Sequence, residues 1–219
     1  MVQNRGINRG FMDLIFDIDG TLWNTTDVVA TAWNRAVKDS GVSLLSPLTV
    51  TGDMLKKEFG KPMDVIADDL FGNIDSKVKA DLLKLCCKYE HEAIEECNDD
   101  LTYKGVRETM RELASKHKLF IVSNCQDGYI ELVMAKNGIT DIITDYECFG
   151  HTGLQKDENI RLVIERNGLK NPVYIGDTLG DMEATHKAGI PFAFARYGFG
   201  DVTDFEYVID DFSELKKIF

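Results

Sequence analysis

The feature that most constrains this chain is a repeated phrase. A short apolar run stops abruptly in small polar or acidic residues, and an amphipathic helix follows. LIFDIDG opens the series at residues 14–20, LFIVSN follows at 119–124, and PVYIGD at 172–177. Short apolar runs bounded in this way read as buried strands. The stretches GVRETMRELASKH, GYIELVMAKNG, KDENIRLVIERNG and GDMEATHKAG carry helical spacing, and the last three stop at glycine. DIITDYE and IPFAFAR are further strand candidates, and YVID reads as an edge strand before a short C-terminal helix. Strands that alternate with helices require crossover connections, which give a largely parallel sheet covered on both faces. The expected fold class is therefore α/β, a Rossmann-like three-layer sandwich with a parallel central sheet.

One block breaks the alternation. From Asp27 to about Glu96 the segments DVVATAWNRAVKDSG, DMLKKEFG, PMDVIADDLFG and SKVKADLLKLCCKYEHEAIEEC all show helical periodicity, with no convincing strand. This block reads as an α-helical cap domain inserted after the first strand. The expected division is an α/β core of residues 1–24 and 104–219, and a helical cap of residues 25–103.

The bulk chemistry excludes several classes of function. Thirty-seven acidic against 25 basic residues give a net charge of −12, which disfavours nucleic acid or an anionic membrane as partner. Any phosphate site must then be built from local positive groups. The five cysteines, Cys86, Cys87, Cys97, Cys125 and Cys148, are odd in number and lack CxxC spacing. Reduced thiols in the cytoplasm are the expected state, rather than zinc or a disulfide framework. The N-terminal stretch MVQNRGINRGFMDLIF lacks the apolar region of an export signal, and no run approaches membrane-spanning length. The expectation is a cytoplasmic protein, monomeric or homodimeric.

In an open α/β sheet, ligands bind outside the carboxyl ends of the strands. Those ends carry Asp17-Ile18-Asp19-Gly20-Thr21, Ser123-Asn124 and Gly176-Asp177, the last followed by Asp181; Lys156 sits in a loop on the same side. A carboxylate with an ordinary pKa near ~4 is already ionised at neutral pH and needs no base to act as a nucleophile. Four aspartates would repel an incoming phosphate, so a cation must offset them. Mg²⁺ suits a few oxygen ligands together with a substrate phosphate. Lys156 adds a second positive charge, while Ser123 and backbone N–H groups near Gly20 can donate to phosphate oxygens. The set fits phosphoryl transfer through an aspartyl-phosphate. Taken singly, the aspartate pair is a polar turn, the GDTLGD aspartates are helix caps and Lys156 is a solvated lysine. Their joint placement at the strand ends favours a site.

DIDGTL, VSN, the isolated Lys156 and GDTLGD, in that order, resemble the four motifs of the haloacid dehalogenase superfamily. The resemblance is to its branch containing phosphoglycolate phosphatases and β-phosphoglucomutases, and covers roughly residues 12–24 and 104–195. It implies Asp17 as nucleophile and Asp19 as the acid that protonates the leaving alcohol and then activates water. It implies Asp17, Asp19 (through its carbonyl), Asp177 and Asp181 as the metal's surroundings. Ser123, Asn124, Lys156, Gly20 and Thr21 would contact the phosphate. The carboxylate at position 19 favours phosphate esters over organohalides, whose displacement needs no acid.

The chain departs from many relatives at Asn24, where they carry Asp, and at Asp157, where they carry Pro. Asp157 is a candidate to weaken or orient Lys156. In relatives the region of Leu48–Pro62 faces the substrate, which makes Lys56, Lys57 and Lys61 weak candidates for contacts. Trp23 and Trp33 read mainly as packing residues, and His91, His117, His151 and His186 as surface or helix-face positions. The expected function is a Mg²⁺-dependent phosphatase of a small phosphorylated metabolite. A sugar phosphomutase and a non-catalytic phosphate-binding relative are the alternatives.

Overall fold

The computed structural model describes residues 10–72 and 74–219. Residues 1–9 of the N-terminal stretch considered above lie outside the described residues. Strand β1 (Asp13–Phe16) is followed by four helices, α1 (Thr26–Ser40), α2 (Gly52–Glu58), α3 (Met63–Phe71) and α4 (Ser76–Glu96). The chain returns through α5 (Val106–Ala114) to β2 (Lys118–Ser123), then α6 (Tyr129–Asn137), β3 (Ile143–Cys148), α7 (Phe149–Thr152) and α8 (Lys156–Asn167). It closes with β4 (Pro172–Gly176), α9 (Leu179–Ala188), β5 (Phe192–Ala195), β6 (Tyr207–Ile209) and α10 (Leu215–Ile218). Two compact units result. One runs to Asn24 and resumes from Thr102 to Phe219; the other is Thr25–Leu101.

The first unit is built on one six-stranded sheet of order β3-β2-β1-β4-β5-β6, with every pairing parallel. Because β1 has strands on both sides and helices cover both faces, its residues are all buried, which explains the uninterrupted LIF. Alternate side chains then choose their layer. Ile15, Phe120, Val122, Tyr174, Phe192 and Phe194 face one core with Ile160 and Val163 of α8. Phe16 points the other way, its ring 5.9 Å from that of Phe212. Strand β6 lies at the edge, as the sequence suggests. The third strand begins two residues later than DIITDYE implies, because the N–H of Ile142 is used in a turn, donating to the Ile139 carbonyl at 3.1 Å.

Asp13 shows what a structural aspartate looks like here. It is buried at the amino end of β1, and its Oδ2 accepts from the N–H groups of Lys170 (2.9 Å) and Asn171 (3.1 Å). Removing it strands two donors. Asp13→Ala is expected to lower stability by about 1–3 kcal/mol, with turnover per folded molecule unchanged, as read by denaturant melts alongside active-site titration. His117, expected at a surface or helix face, is buried instead, because its Nδ1 accepts the N–H of Met12 at 3.1 Å.

In the helical unit, the indole of Trp33 on α1 donates to Glu90 Oε2 on α4 at 2.8 Å and its ring lies 6.0 Å from that of Phe71. Cys86 is buried while its neighbour Cys87 is partly exposed, as a helix requires of adjacent residues. Lys56 pairs with Asp53 at 3.0 Å, and Lys61 with Glu58 at 2.7 Å and Asp69 at 2.8 Å. These are surface ion pairs of the ordinary kind, each contributing roughly 0–1 kcal/mol.

Candidate active site

The strand order reverses about β1, whose neighbours are β2 and β4, and that reversal is where an open α/β sheet leaves a crevice. Asp17 follows β1 directly, its N–H donating to the Ile175 carbonyl at 2.9 Å. Asp177 follows β4, Ser123 ends β2, Lys156 begins α8, and Asp181 lies in the first turn of α9. One oxygen from each of Asp17, Asp177 and Asp181 lies within 4.8 Å of the others, and all three residues are buried. The Lys156 ammonium, also buried, donates to Asp17 Oδ1 at 2.8 Å and to Asp181 Oδ1 at 2.5 Å.

Three carboxylates against one ammonium leave two negative charges beyond what the lysine neutralises. Burial pushes the Asp17 carboxyl up to about 7, against the pull of Lys156 and with Asp181 adding to the rise. Burial, with Asp181 and Asp17 as like charges, also holds Asp177 well above the carboxylate range. Burial works against the charge on Lys156, yet Asp17 and Asp181 more than offset it and raise its pKa. A divalent cation would supply the missing charge. The donors are all hard oxygens, so the cluster fits such an ion.

Each carboxylate is held from behind. Asp177 Oδ1 accepts from the Thr21 hydroxyl at 3.1 Å and Oδ2 from the Phe199 N–H at 2.7 Å. A Cβ on Gly20, whose φ is +85°, would fall 2.1 Å from Asp177 Oδ2, and one on Gly198 would fall 2.3 Å from Asp177 Cβ. Glycine is required at both positions because the chain wraps this side chain closely. Asp181 Oδ2 accepts from Thr178 N at 2.9 Å, Thr178 Oγ1 at 2.7 Å and Asp177 N at 3.2 Å. Asp181 thus has two structural tasks: one oxygen closes the Thr178 capping box and the other accepts from Lys156.

Asp19 stands apart from the three clustered carboxylates. Its Oδ1 accepts from the Trp23 indole at 3.1 Å and from the Tyr129 hydroxyl at 2.9 Å, and those two rings meet edge-on at 5.8 Å. Ser123 and Asn124 are both buried at the end of β2.

The profile of the haloacid dehalogenase-like hydrolases matches residues 14–195, most of the chain and the whole of this cluster. The chain belongs to the haloacid dehalogenase-like hydrolases. Among its relatives is the phosphoglycolate phosphatase of Agrobacterium fabrum, 26% identical over 212 residues that cover 92% of this chain and 89% of that protein. A predicted phosphoglycolate phosphatase of Haemophilus somnus superposes with a TM-score of 0.80 at 22% identity, covering 95% of this chain and 97% of its own. A HAD-hydrolase of Bacillus subtilis, solved with magnesium bound, gives a TM-score of 0.72 at 19% identity, covering 96% and 99%.

In this hydrolase Asp17, Asp177, Asp181 and Lys156 come together as the sequence suggests, with Thr21 attached to them. Gly20 and Thr21, expected among the phosphate contacts, lie in the turn after β1. The Gly20 N–H donates to the Trp23 carbonyl at 2.9 Å and the Thr21 N–H to the Ile18 carbonyl at 3.1 Å, so both shape the turn. Asp157 does not act on Lys156. Its carboxylate is taken by Arg161 and, at 3.0 Å, by Lys187.

Trp23 is a partner of Asp19 and not merely a packing residue. Tyr129 and the Gly198-Phe199-Gly200 turn escape the sequence reading. The paired glycines after the fifth strand are the signal for the turn. Tyr129 carries none, because an aromatic in the first turn of an apolar helix reads as core.

Proposed function

We propose that this hydrolase removes phosphate from a small phosphorylated metabolite, with Mg²⁺ as cofactor and Asp17 as the phosphoryl acceptor. The observation that carries the reading is the buried Asp17–Lys156–Asp181 bridge beside Asp177, a nucleophile already held by a fixed cation and still short of positive charge. Asp17, Asp177 and the Asp19 carbonyl would hold the metal, with Asp181 behind them. When bound, the ion would offset charge on the transferring phosphoryl group.

The residues of the chain do the rest. An Asp17 oxygen attacks phosphorus as the ester P–O bond breaks, and Asp19 gives its proton to the departing alkoxide. Asp19 then takes a proton from water, which attacks the same phosphorus and breaks the bond to Asp17, releasing phosphate. Trp23 and Tyr129 both donate to Oδ1 of Asp19 and so orient the carboxyl group that passes the proton. Ser123, Asn124 and Lys156 would bind the phosphate oxygens, and the helical unit would supply substrate selectivity.

The test is a panel of phosphate esters with and without EDTA. Relatives named phosphoglycolate phosphatase make phosphoglycolate the first ester to try. Phosphate release that needs Mg²⁺ and fails in Asp177→Asn supports the reading; release unaffected by EDTA overturns it. Tyr129→Phe should lower kcat by roughly 10-fold with KM little changed, because only the orientation of the proton donor is lost. In a thermal melt, Mg²⁺ at about 100 times its dissociation constant should stabilise the parent by about 2.7 kcal/mol and leave Asp177→Asn nearly unmoved. The free thiols suit a reducing compartment and no helix of the described residues is long and apolar enough to cross a membrane, so the cytoplasm is the proposed location.

A further inference from the structure

Two of the free cysteines meet beside the phosphate-binding turn. Strands β2 and β3 are parallel neighbours in which Ser123 stands opposite Cys148. Two residues past Ser123, Cys125 lies in the turn that follows, and the turns after the two strands are laced together. The Gly150 N–H donates to the Cys125 carbonyl at 3.0 Å, and a Cβ on Gly150 would fall 2.2 Å from the Asp127 nitrogen. The Cys148 side chain reaches across to the same turn, its thiol donating to the carbonyl of Gln126, the residue after Cys125, at 3.9 Å. Neither sulfur belongs to the proposed catalytic set, yet Cys125 directly follows the Ser123-Asn124 pair, which does.

We propose that Cys125 and Cys148 form a reversible oxidation site, in which a hydroperoxide joins them as a disulfide and thereby disables the Ser123–Asn124 turn. The consequence for turnover rests on the phosphatase reading; the bond itself does not.

The thiols differ in the way such a site needs. The neighbouring Cys125 thiol draws that of Cys148 below its ordinary range, opposed by burial and helped by the His151 N–H. Burial pushes Cys125 well up. Cys148, which faces an open depression, is the nucleophile and Cys125 the resolving thiol. It can be reached, because it forms part of the wall of an open depression of about 400 Å³ shared with Asp127, Glu147, His151 and Arg166.

The Cys148 thiolate attacks one peroxide oxygen and the O–O bond breaks, giving a sulfenic acid and releasing water or an alcohol. Cys125 then attacks the sulfenic sulfur, the S–O bond breaks, and hydroxide leaves with the Cys125 proton as water. Two thiols and one peroxide become a disulfide, one water from the sulfenic acid and one water or alcohol from the peroxide, and a dithiol reductant reverses the step. The disulfide fixes the turn that carries Ser123 and Asn124 against the end of β3.

The experiment treats the full reduced chain with hydrogen peroxide, caps the remaining thiols and maps tryptic peptides without reduction. Cys125 lies in the peptide of residues 119–136 and Cys148 in that of residues 137–156. The expected result is a cross-link between these two peptides, with Cys86, Cys87 and Cys97 mostly capped. Ester hydrolysis should fall by roughly 10-fold or more in step with it and return with dithiothreitol. Cys148→Ser should match the reduced parent in basal activity and resist peroxide. Both peptides capped as free thiols after oxidation would overturn the site, and a complete cross-link with full activity would overturn its effect on turnover. If the reduced protein hydrolyses no ester, the phosphatase reading fails while the peptide map still decides the cysteine pair.

Discussion

Asp17→Asn should abolish phosphate release, lowering kcat/KM by at least about 10⁴-fold, the scale seen when a covalent nucleophile is removed. The loss should come without unfolding. Burial raises the folded-state pKa of Asp17 to about 7 against a reference of 3.8. A carboxyl group raised in this way is a stabilising or neutral group below its unfolded pKa, and its ionisation costs stability as pH climbs from about 4 towards 7. At neutral pH the amide removes that cost and keeps the shape. The melting temperature of the metal-free variant should therefore be retained or raised while its activity disappears. An inactive variant that also melts many degrees earlier would mean that Asp17 is structural, as Asp13 is.

Lys156→Met should show the opposite combination. Its ammonium is the counter-ion shared by two buried carboxylates, Asp17 at 2.8 Å and Asp181 at 2.5 Å. Taking away one partner of a buried ion pair is strongly destabilising, by roughly 3–5 kcal/mol, because the remaining charge has no compensation. In a chain of this size that corresponds to about 10 °C in melting temperature. Turnover should fall as well, by about 10³-fold, since a fixed positive charge at the reacting group is lost. Lys156→Arg should not restore either property. A planar guanidinium does not occupy the position of one tetrahedral nitrogen between two carboxylates. A Lys156→Met protein that melts within a degree or two of the parent would show that the bridge is not a stabilising element.

The frame of the molecule was legible because its chemistry is local. Apolar runs ending in Asp17, Ser123 and Asp177 announce parallel strands whose carboxyl ends share one side of the sheet. The four helical segments after β1 lack any β-forming run, so the helical block was visible too. Positions that depend on pairing in space were not. Tyr129 reads as one more apolar helix residue, and only the fold brings its hydroxyl to Asp19 across 110 positions of sequence. That the Gly20 and Thr21 N–H groups bond the Trp23 and Ile18 carbonyls is likewise invisible in a linear sequence. Asp157 looked like a neighbour of Lys156, but one residue along a helix turns a side chain by about 100°, and its carboxylate meets Arg161 and Lys187 instead. His117 was misplaced for the same reason, because its partner Met12 lies 105 positions away.

The most direct measurement is chemical trapping of the intermediate. The protein would be mixed with Mg²⁺ and an ester that it turns over, quenched in acid within the first turnovers, reduced with borohydride and mapped by mass spectrometry. An aspartyl-phosphate is reduced to homoserine, whereas a free carboxylate is untouched. Homoserine at position 17, dependent on both Mg²⁺ and substrate and absent in Asp17→Asn, is the predicted result. Turnover under the same conditions with an unmodified residue 17, or with homoserine at 19, 177 or 181 instead, would contradict it.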